Sequence, residues 1–167
     1  MGGFTAMSFA IRNPERVAGL VLADTTGGIV SPHIASAMRA ALAALPEESI
    51  ARSLALDYPK REPELAFLYS ALGRLTLTIR ESLDDLLTNE DGPSLVDIAN
   101  WAAHKVPALV IVGGGDLLVP PAVARMVAAH LPGAKIEVIA GAGHSAYFEK
   151  PAEFNARLDA FLATLGF

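Results

Sequence analysis

Residues 141–151, Gly-Ala-Gly-His-Ser-Ala-Tyr-Phe-Glu-Lys-Pro, decide how the rest of the chain is interpreted. They place His144 in a loop containing two glycines, between an apolar run of strand length and a helix that begins at a proline. Asp116 lies earlier in the chain, at the end of another apolar run, in Val-Gly-Gly-Gly-Asp. A carboxylate and an imidazole that each follow a strand are typical of two members of a Ser-His-Asp hydrolytic triad.

Three short apolar runs predict strands that are largely buried. They are residues 18–23 (AGLVLA), 107–112 (PALVIV) and 136–139 (IEVI). Helical spacing of apolar residues predicts helices over 2–12, 122–130 and 151–165. Strands separated by helices indicate an α/β fold with about three parallel strands, flanking helices and right-handed crossovers. In such sheets the ligand crevice lies at the carboxyl ends of the strands, where Asp24, Asp116 and His144 all fall.

The stretch between the first two predicted strands has a different composition. It is rich in alanine and leucine and broken by prolines, which predicts helices with no strand between them. We therefore expect a core formed by residues 1–28 and 104–167, with a helical cap inserted over residues 29–103. The larger side chains of this cap, Phe67, Tyr69 and Trp101, suggest a small hydrophobic ester or acyl group as substrate.

Composition excludes several classes of function. The chain has 167 residues, 52% of them hydrophobic, which is enough for one domain with a sizeable core. With 13 basic and 18 acidic residues the net charge is −5, which argues against nucleic acid and anionic membranes as partners. There is no cysteine, no evident signal peptide and no apolar run of membrane-spanning length. These features predict a soluble protein, and we expect a cytoplasmic location.

The remaining histidines give no sign of a metal or cofactor. His33 adjoins a proline in a loop, His104 precedes a strand, and His130 ends a helix. None has metal-ligand spacing to another histidine, so we expect neither a metal nor another cofactor.

Each candidate residue also has an ordinary structural interpretation. Asp116 alone is compatible with capping a turn, and His144 alone with bonding to loop backbone. Their combination at successive strand ends favours chemistry, because a carboxylate that fixes the imidazole tautomer leaves the other nitrogen free to exchange a proton. Asp24 is more typical of a turn residue, and it is also a possible alternative acid.

The motifs around these residues resemble those of α/β-hydrolase-fold enzymes, in particular esterase- and lipase-like serine hydrolases. Gly-Gly-Gly-Asp-Leu-Leu-Val-Pro-Pro (residues 113–121) is similar to the acid motif, and residues 141–154 are similar to the histidine motif. The opening Met-Gly-Gly-Phe-Thr-Ala, followed by Asn-Pro-Glu-Arg-Val-Ala-Gly-Leu-Val-Leu-Ala-Asp, looks like the segment just after the nucleophile elbow. The resemblance implies that Asp116 is the orienting acid and His144 the general base of a carboxylic-ester hydrolase.

The same resemblance leaves the nucleophile unassigned. The elbow is Gly-x-nucleophile-x-Gly, and Gly2 matches its last glycine. Met1 would then correspond to the residue that supplies an oxyanion-hole N–H, and the nucleophile would precede it. We therefore expect a partial α/β-hydrolase fold, the carboxyl-terminal part of the family pattern.

Four explanations of the missing nucleophile stay open at this point. The chain is a truncated piece of a serine hydrolase, or a complementing chain supplies the amino-terminal half. Alternatively, a serine of this chain has taken over, with Ser145, Ser31 and Ser8 as candidates. The fourth explanation is a non-catalytic module, derived from a hydrolase, that binds a hydrophobic small molecule or another partner.

The predicted first strand has a consequence for assembly. In the family this strand is interior, whereas here it would lie at a sheet edge with unpaired N–H and C=O groups. Such an edge favours pairing with another chain, so we expect a homodimer through this edge or the first helix.

Overall fold

The structure is a computed structural model that describes residues 2–47, 49–74 and 106–167. Its strands are β1 (Leu20–Ala23), β2 (Ala108–Gly113) and β3 (Lys135–Ile139). Its helices are α1 (Gly2–Arg12), α2 (Pro32–Ala43), α3 (Ser49–Ser53), α4 (Tyr58–Arg61), α5 (Pro63–Arg74), α6 (Pro121–Ala129), α7 (Ala146–Glu149) and α8 (Pro151–Ala163), and a short 3-10 turn spans Pro14–Arg16.

The strands form one parallel sheet in the described part of the chain, in the order β1-β2-β3. Leu20 of β1 pairs with Ala108, and Leu109 of β2 pairs with Lys135. Every residue of the central strand β2 is buried, as its continuous apolar run predicts. The α/β class, the parallel sheet and the flanking helices expected from the sequence are confirmed.

The element bounds differ from the sequence prediction by one or two residues at most ends. β1 begins at Leu20 rather than at residue 18, and the Leu20 N–H donates to the carbonyl of Pro107 at 2.9 Å. Pro107 has no N–H and therefore cannot donate a hydrogen bond to β1. The pairing of β1 with β2 accordingly begins at Leu20. Helix α1 has the predicted bounds, because Asn13-Pro14 prevents the helix from continuing.

Alternate side chains of β2 supply two separate hydrophobic clusters. Val110 and Val112 belong to a cluster with α1, α2 and α6, whereas Leu109 and Ile111 belong to a cluster with Phe161 of α8. This alternation is the period-two pattern of a strand with helices on both faces. Since burying a Leu, Ile or Val side chain contributes roughly 1.5–3 kcal/mol, β2 stabilises both of these clusters.

A third hydrophobic cluster lies under α3, α4 and α5. Leu54, Tyr58 and Ala66 are buried there, and Phe148 from the histidine loop packs against them. These helices fall inside the predicted cap, whereas α2 contributes Ile34 to the main cluster. The predicted boundaries at 28/29 and 103/104 stay a prediction, and Trp101 lies outside the described residues.

β1 occupies one edge of the described sheet, beside β2. Leu20 and Leu22 are buried, while Val21 and Ala23 are half-buried. The sequence-based expectation of a homodimer through this edge stays a prediction. Within the described ranges, no helix combines the length and the apolar character needed to cross a bilayer.

Candidate active site

The carboxyl ends of the three strands bring Asp24, Asp116 and His144 to the same edge of the sheet. Asp24 directly follows β1, Asp116 follows the glycines that end β2, and His144 lies in the loop between β3 and α7. Asp24 and Asp116 are both buried, and 29% of the His144 side chain is exposed. These three of the sequence-predicted site residues therefore lie at one edge of the sheet.

Asp116 is held in one orientation by hydrogen bonds to both carboxylate oxygens. Its Oδ1 accepts from the backbone N–H groups of Leu118 at 2.8 Å and Val119 at 2.9 Å. Its Oδ2 lies 2.9 Å from Nδ1 of His144. An ionised carboxylate only accepts hydrogen bonds, so this pairing assigns the proton of the neutral imidazole to Nδ1 and leaves Nε2 unprotonated.

The surroundings of His144 act on its pKa in opposite directions. Burial lowers the pKa, because a charged imidazolium is poorly solvated there. The hydrogen bond to Asp116 and the negative charges of Asp116 and Asp24 outweigh burial, and the pKa of His144 stands above its ordinary value of 6.5. The site therefore favours the protonated imidazole more than water does.

Close backbone packing fixes the distance between the Asp116 loop and the His144 loop. The N–H groups of Gly114 and Gly115 donate to Ile139 and Ala142, each at 2.8 Å. At Gly113 a side-chain Cβ would lie well inside van der Waals distance of the Gly143 carbonyl oxygen, so only glycine fits.

Asp24 has a different environment from Asp116. Its Oδ1 accepts from the Gly113 N–H at 2.9 Å, while Oδ2 is buried and has no hydrogen-bond partner among the described residues. Burial raises the pKa of Asp24 to about 7, and the Asp116 charge adds to this, although the Gly113 N–H and His144 work in the opposite direction.

The backbone at Asp24 is also unusual. Its φ of 48° lies in the left-handed region, which few residues other than glycine adopt. The imidazole nevertheless bonds to Asp116, so Asp24 as an alternative acid stays a prediction. Its charge still influences the pKa of His144.

The three candidate serines each bond to something other than His144. The Ser145 hydroxyl, on a residue only 2% exposed, lies 2.7 Å from the Tyr69 hydroxyl. Ser31 accepts from the Ile34 N–H at the start of α2, and Ser8 pairs with Arg12. A nucleophile within this chain stays a prediction, and none of these three serine hydrogen bonds supports it.

Other sequence-predicted positions add little to the site. Met1, the expected oxyanion-hole position, and His104 lie outside the described residues. His33 is exposed at the start of α2 and His130 ends α6, away from the Asp116–His144 pair. Among residues 2–47, 49–74 and 106–167, no three His, Asp or Glu side chains are grouped as a metal site would require.

A cleft of about 640 Å³ opens beside His144. Helix α1, the β1 loop, α5 and the histidine loop all contribute to its walls. Its apolar lining includes Phe4, Ala23, Leu118, Val119 and Tyr147, and its polar lining includes Asp24, Thr26, Tyr69, His144 and Ser145. The candidate base therefore faces a space large enough for a small organic molecule.

One polar residue of the histidine loop was missed by sequence reasoning. Glu149 is buried, and its carboxylate accepts from the Gly143 N–H at 2.7 Å and from the Ala55 N–H at 3.1 Å. Burial raises the pKa of Glu149, while these two N–H groups lower it. Its partners are backbone groups, so nothing in the sequence indicates the contact.

A hydrogen-bonded acid and histidine at the strand ends of a parallel α/β sheet define a hydrolase-like class of protein. The family model described as "Alpha/beta hydrolase family" matches residues 1–157. The chain belongs to the α/β-hydrolase family.

Several curated relatives carry the names of hydrolases. A 2-hydroxy-6-oxononadienedioate/2-hydroxy-6-oxononatrienedioate hydrolase of Paraburkholderia xenovorans is 29% identical over 98% of this chain. An sn-1-specific diacylglycerol lipase of Mus musculus is 30% identical over 98% of this chain. The chain spans 60% of the first relative's length and 57% of the second's.

Solved structures show the same fold. A thermophilic esterase from Thermogutta terrifontis superimposes with a TM-score of 0.69 at 22% identity, over 98% of this chain and 62% of that one. An enol-lactonase from Burkholderia xenovorans superimposes with a TM-score of 0.65 at 28% identity, over 98% of this chain and 63% of that one. The identity to the esterase is low enough that this likeness concerns the fold alone.

Proposed function

We propose that this chain carries the acid–base part of a carboxylic-ester hydrolase, with His144 as general base and Asp116 as the acid that orients it. The observation that carries the proposal is the 2.9 Å hydrogen bond between Asp116 Oδ2 and His144 Nδ1. It leaves Nε2 of an imidazole that lines the cleft available for proton transfer.

In the proposed reaction His144 acts twice. Nε2 accepts the proton of a serine hydroxyl as that oxygen attacks the ester carbonyl carbon, and it then returns the proton to the alcohol that leaves. A water molecule repeats the sequence on the acyl-enzyme and releases the carboxylic acid. Throughout, the Asp116 carboxylate stabilises the imidazolium, with the Leu118 and Val119 N–H groups keeping that carboxylate in place.

The serine in this proposal lies in a segment outside residues 1–167. The relatives are longer than this chain, and Gly2 matches the last glycine of a nucleophile elbow by resemblance. The hydroxyls of Ser8, Ser31 and Ser145 are engaged with Arg12, Ile34 and Tyr69, which makes them weaker candidates. A continuous longer chain and a separate complementing chain both satisfy this requirement.

The cleft supports a small hydrophobic ester as the substrate class. Phe4, Ala23, Leu118, Val119 and Tyr147 give it an apolar lining. The relatives named above act, by their names, on dienedioates and diacylglycerols, so the proposal does not extend to a particular acyl group.

The same cleft favours one alternative function, a non-catalytic module that binds a hydrophobic small molecule. Its volume of about 640 Å³ suits such a ligand whether or not a nucleophile is present. This alternative predicts ligand binding without covalent chemistry.

An active-site label distinguishes these possibilities, because fluorophosphonates react with activated serines and mass spectrometry locates the labelled residue. We would treat the purified chain, and the chain extended upstream through an in-frame Gly-x-Ser where its coding DNA provides one, with a fluorophosphonate probe. Hydrolysis of p-nitrophenyl butyrate would be followed in parallel. The variants are His144→Ala, with His130→Ala as the matched control.

The proposal predicts labelling and turnover only when the upstream serine is present, with both lost in His144→Ala and retained in His130→Ala. Labelling of Ser145 or Ser31 in the chain alone would move the nucleophile into residues 1–167. Labelling unaffected by His144→Ala would overturn the role of His144. Saturable binding of p-nitrophenyl butyrate in equilibrium dialysis, with no label and no hydrolysis in either form, would favour the non-catalytic module.

A further inference from the structure

Glu149 connects the histidine loop to the α3–α4 segment through a single buried carboxylate. Its Oε1 accepts from the Gly143 N–H at 2.7 Å, directly before His144 in the chain. Both of its oxygens lie 3.1 Å from the Ala55 nitrogen, between α3 and α4. Glu149 itself is 7% exposed, so these bonds form away from bulk water and are stronger for it.

The backbones joined by Glu149 are in close contact. A Cβ at Gly143 would overlap the main-chain atoms of Leu54 and Ala55, so the loop and the α3–α4 segment approach as nearly as two backbones can. An approach of this kind leaves both N–H groups without room for water. The Glu149 carboxylate is the acceptor that satisfies them, and its loss would leave two buried donors unpaired.

Further contacts hold the same loop on either side of His144. Arg61 of α4 donates to the Gly141 carbonyl at 3.2 Å, and the Tyr69 hydroxyl meets Ser145 at 2.7 Å. The Phe148 ring packs edge-on against Tyr69, with the ring centres 5.0 Å apart. Among these contacts of the described residues, the one to Glu149 is made by Gly143, which directly precedes His144.

We propose that Glu149 is a positioning residue for His144, which it holds in place by tying the Gly143 N–H to the Ala55 N–H of the α3–α4 segment. This role deepens the proposed function, on which it rests, because it concerns the same imidazole. Glu149 makes no bond to the imidazole. It acts through the backbone that sets where the ring lies relative to Asp116.

The position of the imidazole depends on how firmly the backbone before it is held. The bond between His144 Nδ1 and Asp116 Oδ2 joins two loops, and His144 directly follows the Gly141-Ala142-Gly143 segment. Glycine on both sides of Ala142 gives that segment more conformational freedom than other residues would. Pinning the Gly143 N–H removes much of that freedom close to the imidazole.

The test reads the His144 imidazole directly by nitrogen-15 NMR in the full chain, without ligand or turnover. We would compare wild type with Glu149→Ala and Glu149→Gln. The amide oxygen of glutamine can still accept from Gly143, while its NH2 group faces the Ala55 N–H unfavourably. The matched control is Glu153→Gln, which changes an exposed carboxylate on α8 that pairs with Lys150.

For Glu149→Ala we expect the Nδ1–H proton of His144 to exchange with solvent at least about tenfold faster, because the loop opens more often. We also expect the pKa of His144 to move back towards 6.5 as the Asp116 bond weakens. Glu149→Gln should keep most of the Nδ1–H protection while the Ala55 amide signal shifts. Glu153→Gln should match wild type.

Two results would overturn the proposal. One is a His144 signal unchanged in Glu149→Ala while circular dichroism shows a folded chain. The other is an equal change in Glu149→Gln and Glu149→Ala, which would make lost charge rather than the Gly143 bond the cause. If Glu149→Ala does not fold, protection of the Nδ1–H in Glu149→Gln decides, since its loss there would contradict the Gly143 bond. A failure of ester hydrolysis leaves these measurements intact, so the two proposals fail separately.

Discussion

The loop after β1 and the loop after β2 each place an aspartate near His144, and the two carboxylates differ in their hydrogen bonds. Asp116 has partners for both oxygens, including the imidazole itself. Asp24 accepts from the Gly113 N–H through Oδ1, its Oδ2 is buried with no partner within hydrogen-bond distance among the described residues, and the Ala146 N–H also acts to lower its pKa. For Asp24 burial is the main cause of the raised pKa, and the hydrogen bond from Gly113 offsets only part of it.

The two aspartates differ in what their carboxylates contact and in what they hold together. Asp116 is held by the Leu118 and Val119 N–H groups and holds the imidazole of His144 through its other oxygen. Asp24, whose pKa is raised to about 7 chiefly by burial, holds a proton over part of the physiological pH range. It also ties β1 to the end of β2 through Gly113.

The two aspartates should differ most in how their loss changes kcat. In whichever form of the protein hydrolyses p-nitrophenyl butyrate, Asp116→Asn should lower kcat by about 10⁴-fold, because asparagine fails to hold the reactive tautomer. Asp24→Asn should lower it by less than about tenfold, since Asp24 acts on His144 only through its charge. Equal losses in steady-state kinetics would instead make Asp24 a working acid.

The next prediction concerns how Asp24 makes the free energy of unfolding depend on pH. Because the pKa of Asp24 is raised from 3.8 to about 7, the folded state holds this proton where the unfolded chain has lost it. Asp24 therefore lowers the free energy of unfolding as pH rises from about 4 to about 7, with a full cost of about 4 kcal/mol above that.

Asp24→Asn removes that titration while its side-chain oxygen still accepts from Gly113, and asparagine tolerates the left-handed backbone. Urea unfolding should show the variant more stable than wild type at pH 8, with the gap narrowing towards pH 4. The exposed Asp159→Asn is the control. If the difference in the free energy of unfolding between variant and wild type did not change with pH, titration of Asp24 would not be its cause.

A smaller effect probes the glycine that links the two loops. Gly113→Ala places a Cβ against the Gly143 carbonyl, and overpacking of this kind costs about 1–3 kcal/mol. Gly115→Ala is the matched control, since its Cβ would meet Ala142 at an ordinary 3.4 Å. Urea midpoints should fall in the first variant only, and similar midpoints would mean that the loops separate at little cost.

The smallest expected difference between the two aspartates is in how each changes the pKa of His144. Asp116→Asn removes a hydrogen bond and a charge that raise the pKa of His144, so burial should then dominate and lower it. Asp24→Asn removes a weaker charge effect and should lower the pKa less. NMR titration of His144 in both variants measures the order, and a larger decrease in Asp24→Asn would reverse the assignment.

Much of this arrangement could be predicted from the sequence, because it depends on local patterns. The apolar run of β2 indicates a buried central strand, and Asn13-Pro14 indicates the end of α1. Positions just past predicted strands were enough to pair Asp116 with His144, since parallel strands bring their carboxyl ends to one edge.

The rest depends on contacts that leave no local pattern. Glu149 bonds to the N–H of Ala55, which lies 94 positions away and has no side chain that would indicate a polar contact. The Ser145 hydroxyl meets Tyr69, 76 positions away, so a serine beside His144 in the sequence does not become its partner in the fold. The buried Oδ2 of Asp24 results from the packing around it, whereas the sequence indicates only a turn residue or a possible alternative acid.

The strand pairing described above has a consequence for the order of folding. Leu20 meets Ala108 across roughly 90 intervening positions, whereas Leu109 meets Lys135 after only about 26, and distant pairings form more slowly because longer loops must close. We therefore expect residues 106–167 to assemble first and β1 to dock later. The Asp116–His144 pair would then exist in the early intermediate, while Asp24 would receive its buried place only in the last step.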